Sequence, residues 1–120
     1  HFMGCHEGPQ NIRTDNNTNP LQLGNICSDE PGIYRTNEYG IRIENLIAVR
    51  QVEDLPAHAT GETFYEFETL TICYYDTRLI DMSRMTAHEI AWINAYHEWV
   101  YAQTAPQLTA EQAAWVKEKC

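Results

Sequence analysis

Positive charge is scarce in this sequence. Eight Lys and Arg stand against seventeen Asp and Glu, a formal net charge of −9 at pH 7. A phosphate backbone is held by a basic patch, so the balance argues against a nucleic-acid partner. The same deficit argues against an anionic membrane surface. No stretch approaches the roughly 20 apolar residues of a membrane-spanning helix. None has the basic-then-apolar pattern of a secretory leader. Cysteine is sparse too: Cys5, Cys27, Cys73 and Cys120 form no C-x-x-C pair and show no zinc-ribbon spacing. Free thiols in a reducing, cytoplasmic setting are the expectation.

What is present is the composition of a folded protein. The 120 residues are 43% hydrophobic, with three Trp, seven Tyr and three Phe, too apolar for a disordered segment. The length suits one domain or part of one. The opening run His1-Phe2-Met3-Gly4-Cys5-His6-Glu7-Gly8-Pro9 has no initiator Met and reads as a motif already under way. A piece of a longer polypeptide is therefore expected.

Residues 1–20 are rich in Gly, Pro, Asn and Thr and should be mostly loop, with Asp15 to Pro20 as the plainest turn cluster. A short strand is expected from Asn25 to Asp29, broken by Pro31-Gly32. Residues 41–52 give the strongest β signal: Ile41, Ile43, Ile47 and Val49 are β-branched, and alternation puts Arg42 and Glu44 on one face. Tyr39-Gly40 reads as a hairpin-like connection before this strand. Residues 54–62 read as a loop and 63–75 as a second long strand. After Asp81 the pattern turns helical. Thr86 and Glu89 form a capping box before a helix over 87–103, with Trp92 and Trp99 on its buried side. Thr109 and Gln112 form a second box opening a helix to about Lys119. Strands followed by helices suggest an α+β fold.

Several residues have side chains suited to chemistry. His6, beside Glu7 in a Gly-rich loop, suits a proton shuttle or substrate contact, or is simply a solvated loop histidine. His58, His88 and His97 read as surface or packing residues. Glu30 sits where a strand meets Pro31-Gly32, and Glu44 inside a strand between Ile43 and Asn45. A carboxylate among aliphatics is costly unless paired or metal-bound. Arg42 shares its face, so an Arg–Glu ladder pair on a solvated face is equally open. Two carboxylates near a histidine also fit an oxygen-rich site for Mn or a similar ion. Asp29 should point away from Glu30. Glu66 and Glu68 share one strand face and read as structural.

Four motifs follow in order: His6-Glu7-Gly8-Pro9, Asp29-Glu30-Pro31-Gly32-Ile33-Tyr34, Gly40-Ile41-Arg42-Ile43-Glu44-Asn45-Leu46, and Phe67-Glu68-Thr69-Leu70-Thr71. Together with Leu79-Ile80-Asp81 and Trp92-Ile93-Asn94-Ala95-Tyr96-His97, they resemble the C-terminal part of the larger Xaa-Pro aminopeptidases, over nearly the whole chain. The resemblance implies the C-terminal portion of a pita-bread fold, a curved antiparallel sheet followed by two C-terminal helices. It implies one catalytic domain's end over residues 1–120, with loops and strands over 1–82 and a helical tail over 83–120.

The activity implied is metal-dependent removal of the N-terminal residue from peptides with proline in second position. The family's two divalent ions, commonly Mn, rest on two Asp, one His and two Glu. By resemblance, Glu30 binds one ion and helps activate water, and Glu44 bridges both ions. His6 contacts the substrate and steadies the tetrahedral intermediate, while Tyr34 and Arg42 orient the site. The two Asp ligands are not in this sequence. His1-Phe2 matches the second His of the family run His-Gly-x-Gly-His-Phe, whose first His is the ligand, so two of five ligands are present. The chain alone is expected to be inactive and to hold no ion tightly, and a homodimer is expected. Alternatives of the same fold are a non-catalytic domain binding peptides or protein partners, and a prolidase or creatinase. The tail motifs favour the aminopeptidase over the latter two.

Overall fold

The computed structural model describes residues 8–14, 16–53 and 61–120. The chain divides into two compact units, His1–Thr71 and Ile72–Cys120. Among the described residues the first holds five strands: β1 (Ile26–Asp29), β2 (Gly32–Arg35), β3 (Tyr39–Arg42), β4 (Asn45–Gln51) and β5 (Tyr65–Thr69). The second holds α1 (Ala87–Thr104) and α2 (Ala110–Lys119), with short 3-10 turns before and between them. Among the described residues no helix is long and apolar enough to cross a membrane.

All strand pairings are antiparallel. β4 lies between β1 and β5, and β2 pairs with β3. The two ladders keep one register. Asp29 stands opposite Asn45 and Gly32 opposite Arg42, leaving two residues on each strand between them: Glu30 and Pro31 against Ile43 and Glu44. β1–β2 and β3–β4 are thus one long hairpin with a two-residue gap. Pro31 has no N–H for the ladder, which accounts for the gap. Its carbonyl still accepts from Ile43 N at 3.2 Å, so the strands stay side by side.

This register corrects two expectations. Pro31-Gly32 breaks the first strand as expected, β1 ending at Asp29, and β2 resumes at Gly32. The expected strand over 41–52 is two strands, and Glu44 lies in the gap rather than inside a strand. Tyr39-Gly40 is the start of β3. The turn is Thr36-Asn37-Glu38, closed by Glu38 N donating to Arg35 O at 3.0 Å. Asn37 takes φ +60° there, a conformation Asn tolerates better than most residues.

The buried residues of this unit, Cys27, Asn45, Ile47 and Val49, share one face of the β1–β4–β5 sheet. The expected second strand stops at Thr69 rather than residue 75. Beyond it, Leu70 N and Thr71 Oγ1 still bond Leu46. Cys73 O and Tyr75 N are instead bonded to α1 side chains.

Both capping boxes form. Thr86 N donates to Glu89 Oε2 at 2.7 Å, and Thr109 N to Gln112 Oε1 at 3.0 Å. The helices run as the sequence suggests, ending at Thr104 and Lys119. Tyr96, His97 and Val100 form the buried stripe of α1. His97 is a packing residue: its Nε2 accepts from Tyr75 N and its Nδ1 donates to Cys120 O, both at 3.0 Å. His88 is exposed, and His58 lies outside the described residues. Trp92 is half exposed, contrary to its expected burial, because it stacks on Tyr96 with one face only, 5.5 Å between ring centres and 4° between planes. Cys27, Cys73 and Cys120 are free thiols.

Candidate functional site

The gap in the long hairpin gathers the acidic residues singled out from the sequence. With the register unbroken, Glu30 stands opposite Glu44. Alternation puts Glu30, Gly32 and Tyr34 on one strand, and Gly40, Arg42 and Glu44 on the other, along a single face. Arg42 reaches both carboxylates. Its Nη1 lies 2.8 Å from Glu30 Oε2 and its Nε 3.5 Å from Glu44 Oε2. The side chains are 40–45% exposed, so solvent weakens these ion pairs.

Glu30 is held at its other oxygen as well. Ser28 Oγ donates to Oε1 at 2.7 Å. Ser28 belongs to β1, opposite Leu46, and so is fixed by the ladder. Sequence reasoning paired Arg42 with Glu44 alone and passed over Ser28. The spacing of two between Ser28 and Glu30 was the signal for the second, and the register for Arg42's contact with Glu30.

Tyr34 lies along the same face. A methyl group added at Gly32 would come within 2.7 Å of its Oη, and one at Gly40 within 2.8 Å of its Cδ1. The ring therefore rests on two glycines, one of them its cross-strand partner. The opposite face of the β2–β3 hairpin is aliphatic, with Ile33 and Ile41 paired and exposed. Glu66 on β5 pairs with its cross-strand partner Arg50 at 2.8 Å, a structural role as expected. His6 lies outside the described residues.

Two opposed carboxylates with free access to solvent can share one cation, and here that cation is a guanidinium. Carboxylate oxygens are hard donors suited to Mg or Mn ions. Glu30 and Glu44 therefore fit as part of such a site. Among the described residues, no group of three or more His, Cys, Asp and Glu is arranged to hold a metal. Glu30 and Glu44 alone do not complete such a centre.

Residues 1–51 match the sequence pattern of metallopeptidase family M24, and residues 63–120 match that of the C-terminal region of peptidase M24. A probable Xaa-Pro aminopeptidase P of Coprinopsis cinerea is 40% identical over 99% of this chain, which covers 20% of that protein. Aminopeptidase P2 of Arabidopsis thaliana is 41% identical over 94% of the chain, covering 16% of that protein. The crystal structure of X-prolyl aminopeptidase from Caenorhabditis elegans, described as a cytosolic enzyme with a di-nuclear active site, superposes with a TM-score of 0.71. It is 28% identical over 83% of this chain and 16% of that one. The chain thus spans about one-fifth or less of the length of these relatives.

Proposed function

Because the chain belongs to metallopeptidase family M24, as the C-terminal part of an Xaa-Pro aminopeptidase with an α+β, pita-bread fold, we propose that it supplies two carboxylate ligands to a proline-specific aminopeptidase centre. The observation that carries this reading is the opposition of Glu30 and Glu44 in the hairpin gap, with both carboxylates converging on one cationic group.

In this proposal Glu30 and Glu44 hold two divalent ions, Mn in the first instance, together with ligands from the rest of the protein. Bound there, such ions polarise the scissile carbonyl and lower the pKa of water. The residues of this chain do the remaining work. Arg42 orients the two carboxylates through its planar fork, which a lysine does not reproduce. Ser28 fixes Glu30 Oε1 and leaves Oε2 facing the cation. Tyr34, seated on Gly32 and Gly40, bounds the face on which a peptide would lie. His6 contacts the substrate and donates to the oxygen that gains charge. The substrates are peptides with an N-terminal Xaa-Pro sequence.

The domain reading is that residues 1–120 end one catalytic domain, acting in the cytosol as does the nematode relative. A homodimer is proposed as well. It is supported by the exposed Ile33, Ile41 and Ile43, which can be covered by association. A strictly monomeric full-length protein in light scattering counts against it.

The decisive experiment uses the full-length protein. Glu30→Gln and Glu44→Gln should each abolish Mn-dependent cleavage of an Xaa-Pro peptide while the protein remains folded by circular dichroism. Undiminished cleavage by either variant refutes the assignment.

A further inference from the structure

The two oxygens of Glu30 have different partners, and this difference is built into the strand. Oε1 accepts from Ser28 Oγ at 2.7 Å, and Oε2 faces Arg42 Nη1 at 2.8 Å. Glu30 itself lies past the end of β1 and before Pro31, where the backbone leaves the ladder. Its side chain is placed by Ser28 Oγ on one oxygen and by Arg42 Nη1 on the other. Ser28, two residues earlier on the same face, is inside the ladder opposite Leu46 and half-buried. The ladder thus fixes the serine backbone, which carries the hydroxyl to hydrogen-bond distance of the glutamate.

We infer that Ser28 is a positioning residue that commits Glu30 to present a single oxygen, Oε2, to the bound cation. The inference rests on the proposed role of Glu30 as a metal ligand. A carboxylate free to rotate can offer either oxygen or both, and each alternative changes the coordination number it contributes. A hydroxyl donor on one oxygen removes that freedom. Hydrogen bonds of this kind to a ligand fix its geometry, and their loss typically costs about 10–100-fold in metal affinity or activity. No proton is transferred by Ser28 in this role, and it need not touch the substrate.

The test is made on the full-length protein with Mn²⁺ as the probe. Calorimetric titration of the metal-stripped protein should show Ser28→Ala weakening Mn²⁺ binding by about 10-fold or more. Ser28→Thr keeps the hydroxyl and suits a strand, so it should restore wild-type affinity. In peptide cleavage at saturating Mn²⁺, Ser28→Ala should lower kcat and leave KM unchanged. Circular dichroism of the alanine variant should match the wild type. Wild-type affinity in Ser28→Ala overturns the inference, as does a threonine variant as weak as the alanine one. If the wild-type protein binds no Mn²⁺ at all, the proposed function itself fails, an outcome distinct from the first two.

Discussion

Glu30 and Glu44 stand opposite each other in a gap of one continuous hairpin register, and both carboxylates meet Arg42, at 2.8 and 3.5 Å. The proline that interrupts the ladder creates the opening, and the unbroken register keeps the two side chains on one face. A one-residue slip would send one of them to the other side of the sheet.

Arg42 should therefore matter more for activity than for stability. The ion pairs are 40–45% exposed, and exposed pairs contribute about 0–1 kcal/mol. Arg42→Lys places one charge on a flexible stem and cannot address both carboxylates with a fork. We expect kcat/KM of the full-length protein on an Xaa-Pro peptide to fall about 10–100-fold, with a small change in melting temperature. A melting temperature that collapses along with activity would show that Arg42 is structural instead.

Tyr34 and Gly40 should be energetically coupled. Gly40 has no positive φ that would exclude alanine, and alanine costs less than glycine in a strand. The obstacle is the ring of Tyr34, 2.8 Å from the added methyl. Gly40→Ala should destabilise the wild type yet be neutral or stabilising in a Tyr34→Ala background. The coupling in a double-mutant cycle should be about 0.5–3 kcal/mol. Additive effects in urea titrations would mean that the ring moves aside freely.

Asp76 should titrate well below its ordinary range. Arg78 donates to it from both the side chain and the backbone, which holds its pKa down to about 2 from the usual 3.8. The folded pKa lies below the unfolded one, so this interaction is fully present above pH 3.8. It is lost as pH falls from there through about 2. NMR titration of the Asp76 carboxyl should give a midpoint near 2, moving up toward 3.8 in Arg78→Ala. An unchanged midpoint in that variant would rule out Arg78 as the cause.

The helical half of the chain was the most legible in sequence. Thr86 with Glu89 and Thr109 with Gln112 are local signals, and capping depends on residues three apart, so the boxes fix both starts. Strand boundaries were harder, because pairing is not local. Pro31 ends a run of hydrogen bonds without turning the chain, and only the partner strand reveals that β2 continues the same hairpin. Residues 72–75 look like strand by composition, but Tyr96 and His97, more than 20 positions later, bond the Cys73 carbonyl and the Tyr75 N–H. At the site, the ordered motifs pointed to Glu30, Glu44, Tyr34 and Arg42. They did not reveal that Arg42 bonds Glu30 or that Ser28 holds its second oxygen, since both contacts follow from register and rotamer.

The 120-residue chain by itself should neither hold Mn²⁺ tightly nor cleave an Xaa-Pro peptide. Hard divalent ions take about six or more ligands each. The hairpin gap offers two carboxylates, and no third His, Cys, Asp or Glu joins them among the described residues. Arg42 already offsets part of the charge of both, which weakens their hold on an incoming ion in the absence of further ligands. The expected result is no saturable heat of Mn²⁺ binding in calorimetry and no turnover by the purified chain with Mn²⁺ added. Supplying the rest of the protein as a separate polypeptide should restore both together, because the missing ligands and the covering surface arrive at once. Turnover by the chain alone would mean that Glu30 and Glu44 suffice without ligands from the rest of the protein.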